Sequence, residues 1–142
     1  MVDMVFEGRI YKDGKFWLVD MPLLGGLVTQ GRTKGEARLM AQDFIESSIG
    51  KKGVVGDIAT NSKDDSFFIV MNDPAAALAF LFRKIRESKG LTIMAVAERM
   101  GSKSPTAYAR YEQGKVVPTI AKLYEILDAL ESKTNLVLRA VA

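Results

Sequence analysis

Arg110 brings five N–H donors in a fixed fork. Thr106 and Ala107 precede it by four and three residues, the spacing that gathers side chains on one face of a helix. A guanidinium so placed can donate twice to a guanine edge or grip a phosphate. Thr106 and Ala107 can touch a thymine methyl or a base edge. Lys103, Ser104 and Lys115 flank this group and suit phosphate contacts, which position rather than specify. A helix opening at Ser104 would add partial positive charge favouring a phosphate.

Other chemistries are sparsely supplied. The chain has no histidine and no cysteine, which excludes disulfides, thiolate and imidazole metal sites, His bases and Cys nucleophiles. Asp3, Asp20, Asp43 and Asp57 are scattered; they can in principle hold magnesium in a nuclease-like sheet, but solvated carboxylates are the simpler reading. Phe16, Trp17 and Phe67 read as core rather than as a ligand cage. No catalytic set, metal site or cofactor is expected.

The 142 residues suit one ordinary domain or two small ones. Hydrophobic residues make up 48% and charged residues 26%, enough for a packed core. No apolar run approaches the roughly 20 residues that span a bilayer, and MVDMVFEGRI does not read as a signal peptide. The expectation is a soluble, cytoplasmic protein with no membrane partner. Charge divides unevenly. Residues 1–73 hold 9 Lys/Arg and 11 Asp/Glu, a net of −2, while residues 74–142 hold 11 and 6, a net of +5. A weakly acidic half joined to a basic half fits two jobs and two partners.

The elements follow from periodicity. Val2, Met4, Phe6 and Ile10 alternate with polar residues as in a half-buried strand. Asp13-Gly14 signals a hairpin, and Phe16 to Val19 continues as a second strand. A loop with Pro22, Gly25 and Gly26 precedes a short strand at Leu27–Gln30. Thr33-Lys34-Gly35-Glu36 matches a capping box, with Ala37, Met40, Ala41, Phe44 and Ile45 on one helical face. Lys51 to Asp65 is polar and glycine-rich, and Phe67 to Met71 reads as a buried strand. The result is β-β-β-α-β with the helix packed on a sheet. Asp73-Pro74 then caps a helix with Leu78, Leu81, Phe82 and Ile85 as its apolar stripe. Thr92 to Met100 forms a second helix. Ser104-Pro105 opens a third that stops at Gly114, and Pro118 opens a fourth with Ile120, Leu123, Leu127 and Leu130 inward. Asn135 to Val141 reads as a closing strand. The predicted domains are therefore 1–72 and 73–142, α+β followed by all-α with a terminal strand.

Two helices that cross steeply need a small residue at the contact and a turn residue tolerant of positive φ, which Ala97 and Gly101 supply. Tyr108 and Tyr111 would anchor the next helix. With Leu91-Thr92, Ala97-Glu98-Arg99-Met100-Gly101, Tyr111-Glu112-Gln113-Gly114 and Pro118-Thr119, the segment from Ala76 to Leu130 resembles the Cro/repressor (XRE) type of helix-turn-helix. The resemblance implies operator DNA as a partner and a homodimer, or a dimer of dimers, on a palindrome. Ile93 stands where that family usually has glutamine, and the turn at Ser102-Lys103-Ser104 is one residue longer.

Met21-Pro22 through Gly26-Leu27-Val28-Thr29-Gln30-Gly31 and Thr33-Lys34-Gly35-Glu36-Ala37 resemble the HicB antitoxin domain, over about residues 4–71. Met21-Pro22-Leu23-Leu24 is longer than the loop usual there. That resemblance implies a partial, catalytically inactive RNase H-like fold. It also implies a small basic mRNA-cleaving toxin of the HicA type as partner, and repression of the shared operon. Two other readings stay open: a repressor whose N-terminal unit senses a small molecule, and a degraded nuclease with residual magnesium-dependent activity.

Overall fold

The computed structural model of the chain describes residues 4–138. It is α+β, an antiparallel sheet followed by helices. The sheet has five strands, β1 (Met4–Asp13), β2 (Phe16–Met21), β3 (Gly26–Gly31), β4 (Val55–Thr60) and β5 (Ser66–Met71). They lie in the order β3-β2-β1-β5-β4, every neighbouring pair antiparallel. The β1–β2 hairpin pairs Asp13 with Phe16, leaving Gly14 and Lys15 as the two-residue turn with Gly14 at φ 62°.

β4 is one strand more than the β-β-β-α-β pattern. It escapes the period-2 test because the register shifts between Val55 and Asp57. The bulge at Gly56 puts Val55 and Ile58, three apart, on the same buried face. The opposite correction applies at the C-terminal end. Residues 132–138 form no regular element, and the rest of the predicted closing strand lies outside the described residues. Along 135–138 no ladder partner is present among the described residues, and a strand without one cannot satisfy its backbone in pairs.

Helix α1 (Lys34–Ile49) covers one side of the sheet. Thr33 Oγ accepts from Glu36 N–H at 3.0 Å, so the Thr half of the capping box forms; Glu36 itself is exposed. Ala37, Ala41 and Ile45 are buried, Phe44 half-buried, and Met40 faces outward. The approach of helix to sheet is set by Gly31, where a Cβ would stand 2.5 Å from Ala37 N. Any side chain there would push α1 off the strand.

Four helices follow: α2 (Pro74–Ser88), α3 (Ile93–Arg99), α4 (Thr106–Glu112) and α5 (Ile120–Ala129). Asp73 caps α2 through a bond from Ala76 N–H at 3.1 Å, with Pro74 in the first turn. The stripe Leu78, Leu81, Phe82 and Ile85 is buried, and so are Ala77, Ala79 and Phe80. A helix buried on most of its circumference has neighbours on several sides. One side meets α1, where Phe80 and Phe44 stack edge to face with centroids 6.2 Å apart and Arg83 donates to Ser48 O. Another side meets α4. One continuous apolar cluster runs from Phe6 and Phe67 in the sheet through Phe80 to Tyr108 and Leu130. The chain changes from strand to helix at Asn72–Asp73, but the core does not break there. In α5, Leu127 and Leu130 point inward and Leu123 is half-buried, while Ile120 is 64% exposed, contrary to its expected inward position.

Candidate nucleic-acid interface

α3 and α4 form the candidate interface. Thr92 Oγ1 accepts from Ala95 N–H at 3.0 Å and so starts α3. Val96 and Ala97 are fully buried where α3 meets its neighbours. Gly101 ends the helix at φ +79°, and Ser102 N–H returns to Ala97 O at 2.9 Å. This six-to-one closure needs a left-handed residue, which glycine adopts without a Cβ clash.

The turn is tied by serine hydroxyls. Ser102 Oγ donates to Ser104 O at 2.8 Å and accepts from Ser104 N–H at 3.2 Å. Ser104 Oγ accepts from Thr106 N–H at 3.3 Å and donates to Thr106 Oγ1 at 3.0 Å. Ser104 is thus occupied in holding the turn and the first turn of α4. The helix begins at Thr106, one residue past the predicted first position, with Pro105 at its N-cap.

α4 has two faces. Tyr108 is 1% exposed and Tyr111 half-buried, so the two aromatics seat the helix on the body. Glu112 completes that seat: its carboxylate takes both prongs of Arg86, at 2.7 and 2.9 Å. Arg86 also donates to Leu91 O at 2.9 Å. The paired side chains are only 15% and 5% exposed, and Glu112 holds the Arg86 guanidinium above its ordinary pKa. Burial, followed by the Glu112 carboxylate, pushes the Tyr108 phenol well above the usual tyrosine value. Its hydroxyl has no hydrogen-bond partner among the described residues.

Opposite this seat, Thr106, Ala107 and Arg110 are exposed together, with Lys103 and Ser104 before them and Lys115 after. Gln113, three residues beyond Arg110, is exposed and continues the row. Its place beside the helix end masks it in sequence, and its i+3 spacing from Arg110 is the signal that marks it. The Arg86–Glu112 pair, 26 residues apart in sequence, carries no local signal.

α5 braces the motif. Thr119 Oγ1 caps it by accepting from Lys122 N–H at 3.1 Å. Arg99, at the end of α3, donates to Ala129 O at 3.0 Å and reaches Glu131 at 3.3 Å. Among the described residues no group of three His, Cys, Asp or Glu can hold a metal ion. No helix of the described chain is long and apolar enough to cross a membrane.

Residues 82–136 match the helix-turn-helix family model. That match supports a helix-turn-helix of the Cro/repressor (XRE) type within the C-terminal half. Such domains are DNA-binding regulatory modules, and the matched span contains all of α3, α4 and α5. It contains nothing of the sheet. No curated protein matches the chain.

Proposed function

We propose that the chain is the antitoxin and operon repressor of a type II toxin–antitoxin pair, in which the N-terminal unit captures a small basic mRNA-cleaving toxin of the HicA type and the helix-turn-helix binds the promoter. The observation that carries the DNA half is the exposed row of Thr106, Ala107, Arg110 and Gln113 on a helix whose opposite side is locked by Tyr108 and Glu112. A side chain reads a base edge only when its backbone is held still. Arg110 serves as the base or phosphate donor. Thr106 and Ala107 meet base edges, and Lys103 and Lys115 meet backbone phosphates. Ser104 contributes by fixing the turn.

The antitoxin half rests on the HicB resemblance, and two residues of that string have local roles in the fold. Gly31 permits the contact with Ala37, and Thr33 caps α1. The shared apolar cluster ties this unit to the helix-turn-helix through α2, so a partner on one side can influence the other. The small-molecule sensor reading is less favoured: the groove between α1 and β4, about 330 Å³ and lined by Arg38, Leu39, Gln42 and Ile58, lies open at the surface rather than enclosing a ligand.

The test is coexpression. The product of a small basic reading frame beside this chain's own should arrest growth alone, be rescued by this chain and copurify with it. A neighbour that is never rescued overturns the antitoxin reading. Separately, promoter DNA should bind with a steep fall in affinity as salt rises.

A further inference from the structure

The helices cover only one side of the sheet. Strand register assigns the residues of the other side. Tyr11 lies opposite Leu18, Val5 opposite Val70, and Glu7 opposite Phe68. Arg9 lies opposite Asp20, whose other neighbour is Leu27. An antiparallel sheet with one wet face ordinarily alternates apolar-in with polar-out. This one does not. Val5 is 45% exposed and Leu27 62%, and Tyr11, Leu18, Phe68 and Val70 are only half-buried. Exposed apolar side chains in this number on one sheet face mark a contact surface.

Its charges say what kind. Glu7, Asp20 and Asp57 stand on this face. Against them, Arg9 is the one basic residue among the described residues of the face, and it is already paired with Asp65 at 3.0 Å. Of the unit's other cations, Arg38 turns from α1 to Ile58 O, Lys34 sits over Trp17, and Lys51 pairs with Asp73.

We propose that this uncovered sheet face is the docking surface for a small basic protein, with Val5, Leu18, Leu27 and Phe68 meeting its apolar residues and Glu7, Asp20 and Asp57 meeting its cations. The proposal rests on the antitoxin reading and names the surface that reading requires. Two other occupants fit less well. A second copy packed about a two-fold axis would set acidic face against acidic face. Single-stranded RNA stacking on Tyr11, Phe16 and Phe68 would bring its phosphates against the same carboxylates.

The probe is a purified small basic mRNA-cleaving protein of the HicA type, with full-length chain and binding followed calorimetrically. The charge-reversed variant Glu7→Lys with Asp57→Lys, and the variant Phe16→Ser with Leu27→Ser, should each weaken binding by about tenfold or more. Glu36→Lys with Asp43→Lys, the same charge change on exposed positions of α1, should change it by less than about threefold. Thermal melts confirm that each variant folds. Wild-type binding that survives both sheet variants overturns the proposal and leaves the antitoxin reading standing. Failure of the wild type to bind overturns both. A drop in the chain's own mass in the Phe16→Ser/Leu27→Ser variant assigns the face to a second copy, and quenching by oligouridylate that these variants abolish assigns it to RNA. Either result overturns the proposal.

Discussion

Arg86 and Glu112 meet in a two-pronged pair, 2.7 and 2.9 Å, that fastens the end of α4 to the end of α2. Both side chains are largely out of water, so removing one leaves the other charged and without its partner. Glu112→Ala should therefore cost about 3 kcal/mol, measured as a lowered urea midpoint. Arg86→Met combined with Glu112→Leu should recover much of that loss, since apolar replacements of a buried pair are often neutral. Promoter affinity should recover less, because the double variant restores packing but not the angle at which Arg110 is presented.

Tyr108 sits beside the same pair with its hydroxyl unpartnered. A buried hydroxyl in that state gives folding little, so Tyr108→Phe should be neutral or stabilising within about 1 kcal/mol. Its raised pKa makes a second prediction with a definite sign. The folded state favours the protonated phenol, so this contribution is complete below the ordinary value of 10.0 and is lost as pH rises above it. In an ultraviolet titration Tyr108 should ionise only with unfolding. Tyr108→Phe should raise the alkaline unfolding midpoint.

The two kinds of proposed DNA contact should separate by their signatures. Arg110→Ala should cost about 1–3 kcal/mol and relax the sequence preference at one position. Lys103→Ala and Lys115→Ala should weaken every sequence alike, each reducing the slope of log affinity against log salt by about one. Binding unchanged in all three variants would place the contact surface on another helix.

The helical half was the more legible because its punctuation is local. Thr92, Gly101 and Thr119 act within a few residues of where they stand, and the stripe Leu78, Leu81, Phe82 and Ile85 follows the helical period. What the sequence concealed was non-local or irregular. β4 was hidden by its bulge at Gly56. The burial of Ala77, Ala79 and Phe80 depends on α2 having neighbours on several sides, which no period reveals. Around α4, the pattern of exposed positions from Lys103 to Lys115 follows from helical spacing, whereas the clamp of Arg86 on Glu112 does not.

Asp73 makes the junction between sheet and helices sensitive to acid. Its carboxylate caps α2, and the bond from Ala76 N–H, assisted by Lys51, holds its pKa below the ordinary 3.8. A depressed pKa adds stability at pH values above the unfolded value, and that stability is lost as pH falls through the folded one. Asp73→Ala should cost about 1 kcal/mol at neutral pH. The difference between variant and wild type should shrink as the pH drops below 3.8, as read from thermal melts across that range.

The last prediction concerns how two copies would come together. Ile120 and Tyr124, four apart on α5, are 64% and 53% exposed, and Val117 is 57% exposed just before them. Leu136, Val137 and Leu138 add a second exposed apolar group in the tail. One helix-turn-helix reads only a few base pairs, so stable operator binding calls for a pair of copies spaced one helical turn apart. An apolar helix face and tail close to the motif are suitably placed to set that spacing. Deleting residues 134–142, or changing Ile120→Ser with Tyr124→Ser, should shift the sedimentation mass toward the monomer. Operator affinity should fall while non-specific DNA binding is largely kept, because the phosphate contacts of each single unit remain. Mass and affinity that both stay unchanged would show that the copies pair elsewhere, and the sheet edges at β3 and β4 would then be the next surfaces to alter.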